Sequence, residues 1–276
     1  MDRTHQTVTT ELGFDDPVLP QLRTQSLPQQ LDFNTGNRLN DYRIAVATTA
    51  EYTNFHDIPN NGMSAKDDAL AAIVTTISRV NTILQRDLSI RLNIVANNTD
   101  VIFTDAATDG LSNGNSGLLL DQVRPILNTV IGSANYDIGH VFHVTPQFTG
   151  SGIAYVGVVC DSQKAQGVSG SWQPVGDGFD VELVAHEIGH QLGATHSFNS
   201  VQGSCNGSRS SQSAVEPGSG STIMSYAGIC GSDNLQFNAD FMFSATSIEQ
   251  IVQEYSIGSG GNCVVETNIG NQAPVA

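Results

Sequence analysis

No run of the 276-residue sequence is apolar over the roughly 18 residues that a membrane-spanning helix needs. The N-terminus, MDRTHQTVTTELG, lacks the apolar core of a signal peptide, so an exported form would have its signal upstream of this sequence. Positive charge is scarce: 11 Lys and Arg stand against 27 Asp and Glu, a net charge of −16. An acidic surface repels nucleic acid and anionic membrane, and neither is expected as a partner. Cysteine is limited to Cys160, Cys205, Cys230 and Cys263, with no C-x-x-C pair, which argues against a zinc ribbon or a thioredoxin-type redox site. Their even number and wide spacing fit two disulfides and an oxidising compartment, four buried thiols being the alternative. What remains is a chain 39% hydrophobic and rich in turns, with 27 Gly, long enough to bury a sizeable core.

Residues 1–40 carry Pro17, Pro20 and Pro28 and no sustained periodicity, so they read as a leader or pro-segment remnant. The body spans 41–263. Alternation over Asp41–Thr49 marks a strand. Ala65, Ala69, Ile73, Ile77, Val80 and Leu84 mark one face of a helix over Ser64–Leu88, capped by Ser64. A strand over Ser89–Asn97 follows, then a second helix from Ser116 that Pro125 should bend or split. Tyr136–Val144 and Gly152–Cys160 read as strands, and Phe179–Gly193 as a helix ended by Gly193. Thr246 and Glu249 resemble a capping box for a last helix. This order predicts an α/β sandwich with a mixed, twisted sheet. Residues 264–276 read as the start of a linker.

The chemistry concentrates in VAHEIGHQLGATHSFN. His186 and His190, four apart, project from one helix face and can share a zinc ion. Glu187 sits one position round, suited to reach a water rather than the ion. A sharp turn at Gly193 can swing His196 back, completing three nitrogen ligands and an open fourth position. His140 and His143, three apart on a strand, face opposite sides and read as structural. Trp172 reads as a packing residue or a rim of the cleft.

The segment HEIGHQLGATH resembles the H-E-x-x-H-x-x-G-x-x-H signature of the metzincin metallopeptidases. STIMSYAGIC resembles their Met-turn, which implies that Met224 lies beneath the metal. YRIAVATTAEYT, SANYDIGHVFH, AYVGVVCD and EPGSGSTIMSYAGICG extend the likeness over about residues 41–263, toward the bacterial secreted reprolysin/adamalysin-like peptidases. The resemblance implies a twisted mixed five-stranded sheet, two long helices, an active-site helix and a small irregular C-terminal subdomain, divided at about residue 193. It implies a secreted zinc endopeptidase, with Glu187 as general base and extended peptides or proteins as substrates. It implies that Gly152, Ile153, Ala154 and Tyr155 lie on an edge strand that pairs with substrate. It also implies the pairings Cys160–Cys263 and Cys205–Cys230. Tyr226, two after Met224, matches a Tyr that ligates zinc or steadies the transition state in some branches; the alternative is a packed aromatic.

Further expectations attach to this reading. Calcium stays open, since Glu51, Asp161 and Glu266 define no loop motif. Asp15 or Asp16 of the leader is a candidate latch on the open metal position. The pocket beside the scissile bond is expected from segment 197–222. A monomer is expected. The competing function is a catalytically weak zinc protein acting as a binding module or held latent by its leader; the presence of Glu187 argues for catalysis.

Overall fold

The computed structural model describes residues 37–270, so Asp15 and Asp16 lie outside the described residues. Strand β1 (Arg38–Thr48) forms a sheet with β2 (Ile90–Ile94), β3 (Ile138–Val144), β4 (Gly150–Ala154) and β5 (Gly167–Ser171). The order is β2-β1-β3-β5-β4; β4 runs antiparallel to β5 and the other pairs are parallel. A short strand, β6 (Val265–Asn268), pairs antiparallel with the start of β1. Residues expected as the beginning of a linker thus join the sheet, and Arg38 of β1 pairs with Glu266 of β6.

Side-chain alternation along β1 divides the interior. Ile44 and Val46 face a large core shared with α2 (Ala65–Leu88), the helical run over residues 177–191 and α6 (Ala245–Ile257), whereas Ala45 and Ala47 face a smaller core with α3 (Ser116–Leu127). Helix α2 begins at a capping box in which Ser64 and Asp67 satisfy each other's backbone N–H groups. Helix α3 runs through Pro125 rather than splitting there, and a π-helical turn, Asn128–Gly132, follows its last residue. The capping residue of α6 is Ser244, which accepts from Ser247 N, not Thr246. A short helix, α1 (Ala50–His56), capped by Thr49, was not legible in the sequence.

Strand β5, GVSGS, was also missed, because its glycines carry no alternation. They are there for clearance. A Cβ at Gly167 would lie 2.3 Å from Gln191 Oε1 and 2.5 Å from His140 Nδ1, and one at Gly170 would lie 2.1 Å from the His143 ring. The expected strand 152–160 is shorter: β4 ends at Ala154, and Tyr155–Cys160 turns away with positive φ at Gly157 and Cys160. This path has a physical reason. It brings the N–H groups of Gly157 and Val158 to the carbonyls of His190 and Gln191, at 3.0 Å each, satisfying the end of the helical run over residues 177–191.

Disulfides join Cys160 to Cys263 and Cys205 to Cys230, with Cα–Cα distances of 5.6 and 5.2 Å. The second closes the small irregular lower part around Phe198 and Tyr226.

His140 and His143 are fully buried on opposite faces of β3, and burial pushes both imidazoles down to about 4. Their ordinary value is about 6.5. As the pH falls below that, the unfolded chain binds protons that the folded chain does not. Stability is therefore present above about pH 6.5 and lost progressively toward about pH 4, by up to roughly 3 kcal/mol per ring. Urea midpoints of the metal-free protein should drop steeply across that window, and more shallowly for His143→Gln. A flat profile for the unaltered chain would contradict this account.

Candidate metal centre

The helical run that carries the site is not uniform. It starts as α4 (Asp177–Phe179), widens into a π-helical segment (Asp180–Ala185), and tightens into α5 (His186–Gln191). Asp180, at the start of the wide segment, is held by Thr76 Oγ1 at 2.7 Å and by Arg79 Nη1 at 2.9 Å, both from α2. The far end is anchored to the sheet. Gln191 accepts from His140 Nδ1 at 2.8 Å and donates to the Gly139 carbonyl at 2.9 Å, while His140 Nε2 accepts from Ser169 Oγ at 2.9 Å.

The helix ends where Gly193 takes φ +112°, in the positive region that favours glycine. Gly193 N donates to His190 O and Ala194 N to Gly189 O, the paired bonds of a Schellman motif. The chain then reverses, and His196 returns to the helix. The three Nε2 atoms of His186, His190 and His196 lie 3.1–3.2 Å from one another. All three residues are 2% exposed, which leaves little room for water to hydrate their nitrogens.

These contacts are not mutual hydrogen bonds. Each Nδ1 donates to a backbone carbonyl at 2.7 Å: His186 to Ile223, His190 to Ala194 and His196 to Ser208. Each neutral ring has spent its one proton there, so three lone pairs face a common point. Burial, reinforced by His190, pushes His196 well below the ordinary imidazole value, which favours the neutral ring that a metal requires. Zinc–nitrogen bonds of about 2.0–2.1 Å at near-tetrahedral angles put neighbouring nitrogens about 3.3 Å apart. The trio therefore fits a zinc ion, and it is the only such group of three donors among the described residues.

Glu187 is 1% exposed and lies against β4. A Cβ at Gly152 would be 2.1 Å from Glu187 Oε1 and 2.8 Å from its Cγ, so only glycine leaves the carboxylate its place. Met224 is fully buried under the helix, where a Cβ at Gly189 would lie 2.5 Å from its sulfur. Its neighbour Ile223 holds His186, and the Met224 carbonyl accepts from Ser197 N at 2.9 Å, beside His196.

Over residues 39–254 the chain matches the family described as Metallo-peptidase family M12B Reprolysin-like. The chain belongs to that family. Among solved structures, this reprolysin-like chain is similar to metalloproteinase-II from Bacteroides fragilis at 14% identity and a TM-score of 0.42, covering 80% of this chain and 54% of that one. The reprolysin-like chain thus spans about half the length of that structure. It is also similar to myroilysin, at 12% identity and a TM-score of 0.39, covering 90% of this chain and 92% of that one. No curated protein matches. The family is zinc-dependent, in keeping with the trio described above.

Tyr226 packs on the site, its ring centroid 4.5 Å from that of His196 and 5.7 Å from that of His186. Ile153 and Ala154 lie with Gly152 in β4, the outermost strand of the sheet path, whereas Tyr155 lies just beyond its end. Trp172 packs against Phe148 with ring centroids 5.0 Å apart and tilted planes, and lines a cavity that reaches His186. None of that cavity's lining comes from segment 197–222. That segment is committed to the metal centre instead: Ser208 holds His196, and Glu216 braces the chain before Met224. Glu216 accepts from Ser197 Oγ at 2.5 Å, Ser221 N at 2.7 Å and Thr222 N at 3.1 Å. Sequence reasoning missed this role, although Glu216 opens the quoted stretch EPGSGSTIM. The three carboxylates weighed for calcium are dispersed: Glu51 is on α1, Asp161 receives Gln163 N, and Glu266 pairs with Arg38.

The protein should bind one zinc ion per chain, measured by elemental analysis, and His186→Ala should lose it. Gly152→Val should keep the metal while displacing Glu187, so metal content near one alongside activity reduced at least about 10²-fold is expected.

Proposed function

We propose that the chain is a zinc-dependent endopeptidase that cuts extended segments of protein substrates, with Glu187 as general base. One observation carries the reading. Three neutral imidazoles, each oriented by a backbone carbonyl, converge beside a carboxylate confined against an edge strand. A bound zinc ion supplies a Lewis acid for the scissile carbonyl and makes water acidic enough to deprotonate near neutrality.

The chain's own residues supply the remainder. His186, His190 and His196 hold the ion, and the three carbonyl acceptors keep each ring in the correct tautomer. Glu187 takes a proton from the attacking water and delivers it to the leaving amine, and its burial away from bulk solvent favours that transfer. Strand β4 has one backbone edge engaged by β5 and is the last strand of the path, so an extended substrate can add to it through Gly152, Ile153 and Ala154. Tyr226 is positioned against the His186 and His196 rings, from which a phenol can donate to a developing oxyanion. The two disulfides support maturation in an oxidising, extracytoplasmic setting. The retained carboxylate at Glu187 favours catalysis over a binding module.

Glu187→Gln should keep zinc near one equivalent while lowering digestion of an unfolded protein by about 10³-fold or more. A chelator should abolish the same digestion, and added zinc should restore it. Digestion indifferent to both treatments would remove the zinc-peptidase reading.

A further inference from the structure

A cavity of about 260 Å³ opens beside His186. Gly178, Glu182 and His186 line it at four-residue spacing, so one face of the helical run forms a wall. Trp172, Val175, Leu183, Ile223 and Ile229 supply apolar wall, and neutral polar residues such as Ser171 and Gln173 complete the lining. Glu182 is the only carboxylate among the lining residues, and no Lys or Arg is among them. Among the described residues no ion pair reaches it; Arg79 is engaged by Asp177 and Asp180.

Keeping a carboxylate partly buried in a cavity without a charged partner costs desolvation that a nearby cation or donors can offset. The cost is visible: burial, and then the negative charge of Asp177, push Glu182 up to about 7, against the stabilising backbone N–H of Ala239. Among the described residues no Lys or Arg lines the cavity, so a cationic group on the ligand is the complement that suits this carboxylate. We propose that Glu182 makes this cavity a specificity pocket for the long cationic side chain, Lys or Arg, of a residue flanking the scissile bond.

The apolar walls suit the methylene stem of such a side chain, and Glu182 suits its charged head. A net charge of −16 adds a long-range pull on cationic segments. This inference rests on the endopeptidase reading, and its test separates the two.

The zinc-loaded protein would digest a library of unfolded peptides, and matched Lys, Leu and Gln peptides would then be compared. The expected result is enrichment of Lys or Arg at one flanking position, with kcat/KM for the Lys peptide at least about tenfold above the others. In Glu182→Gln that ratio should fall to within about threefold, because the neutral amide cannot pair with a cation. A second measurement follows binding of the same labelled peptides to zinc-loaded Glu187→Gln protein, with and without Glu182→Gln, where the same order of preference is expected. Cleavage with no basic enrichment, or an unchanged Lys-to-Leu ratio in Glu182→Gln, overturns the pocket assignment and leaves the peptidase reading intact. Absence of any cleavage sinks the peptidase reading, and the binding measurement still decides whether Glu182 selects a cation.

Discussion

Three hydrogen bonds from imidazole Nδ1 atoms to backbone carbonyls are the constraint on which the rest of this structure depends. Their acceptors, Ile223, Ala194 and Ser208, lie in three different segments. Each bond fixes a tautomer and a ring plane at once, so the three Nε2 lone pairs can meet within 3.2 Å. Without a cation that convergence is repulsive. The surrounding structure has to hold it, and much of the irregular lower part does so. Gly193 turns the chain so that Ala194 and His196 come back to the helix. Glu216 gathers Ser197, Ser221 and Thr222, so the segment after His196 and the segment before Met224 share one carboxylate. The Cys205–Cys230 disulfide closes the same region.

The upper half solves a different problem, which is to press a helix onto a sheet at close range. Gln191 reaches the Gly139 carbonyl and the His140 ring, and the Gly157 and Val158 N–H groups reach the helix's last carbonyls. Such proximity leaves no room for side chains on the sheet beneath. Gly152 makes way for Glu187 and Gly167 for Gln191 and His140, while Gly189 on the helix makes way for Met224; on the opposite face Gly170 makes way for His143 of the neighbouring strand. A glycine here is a volume requirement set by a larger partner. The same contacts explain why two histidines with no role at the metal are buried in β3: one locks the helix through Gln191, and the other meets Ser116 at the head of α3.

Much of this was legible in the linear chain, and the reasons are local. Helix α2 could be read from its apolar repeat and the Ser64 cap, because helical periodicity and capping involve residues a few positions apart. The convergence of three imidazoles could be read for the same cause: His186 and His190 are one turn apart, and Gly193 signals the reversal that brings His196 back. Strand β5 could not be read, because its glycines answer to Gln191, His140 and His143, none of them a sequence neighbour. The end of β4 at Ala154 and the pairing of β6 with β1 were hidden similarly, since the carbonyls and strand that they serve lie far along the chain.

The sequence by itself determined which three imidazoles converge, because spacing on one helix and one turn dictates which nitrogens can meet. Tertiary structure alone decided which backbone carbonyls orient the rings, that Gly152 confines Glu187, and that Glu182 lines the cavity beside His186. The carbonyl of Ile223 on His186 and Gly152 beneath Glu187 act from segments tens of residues away, and no local period or propensity records a distance across the fold.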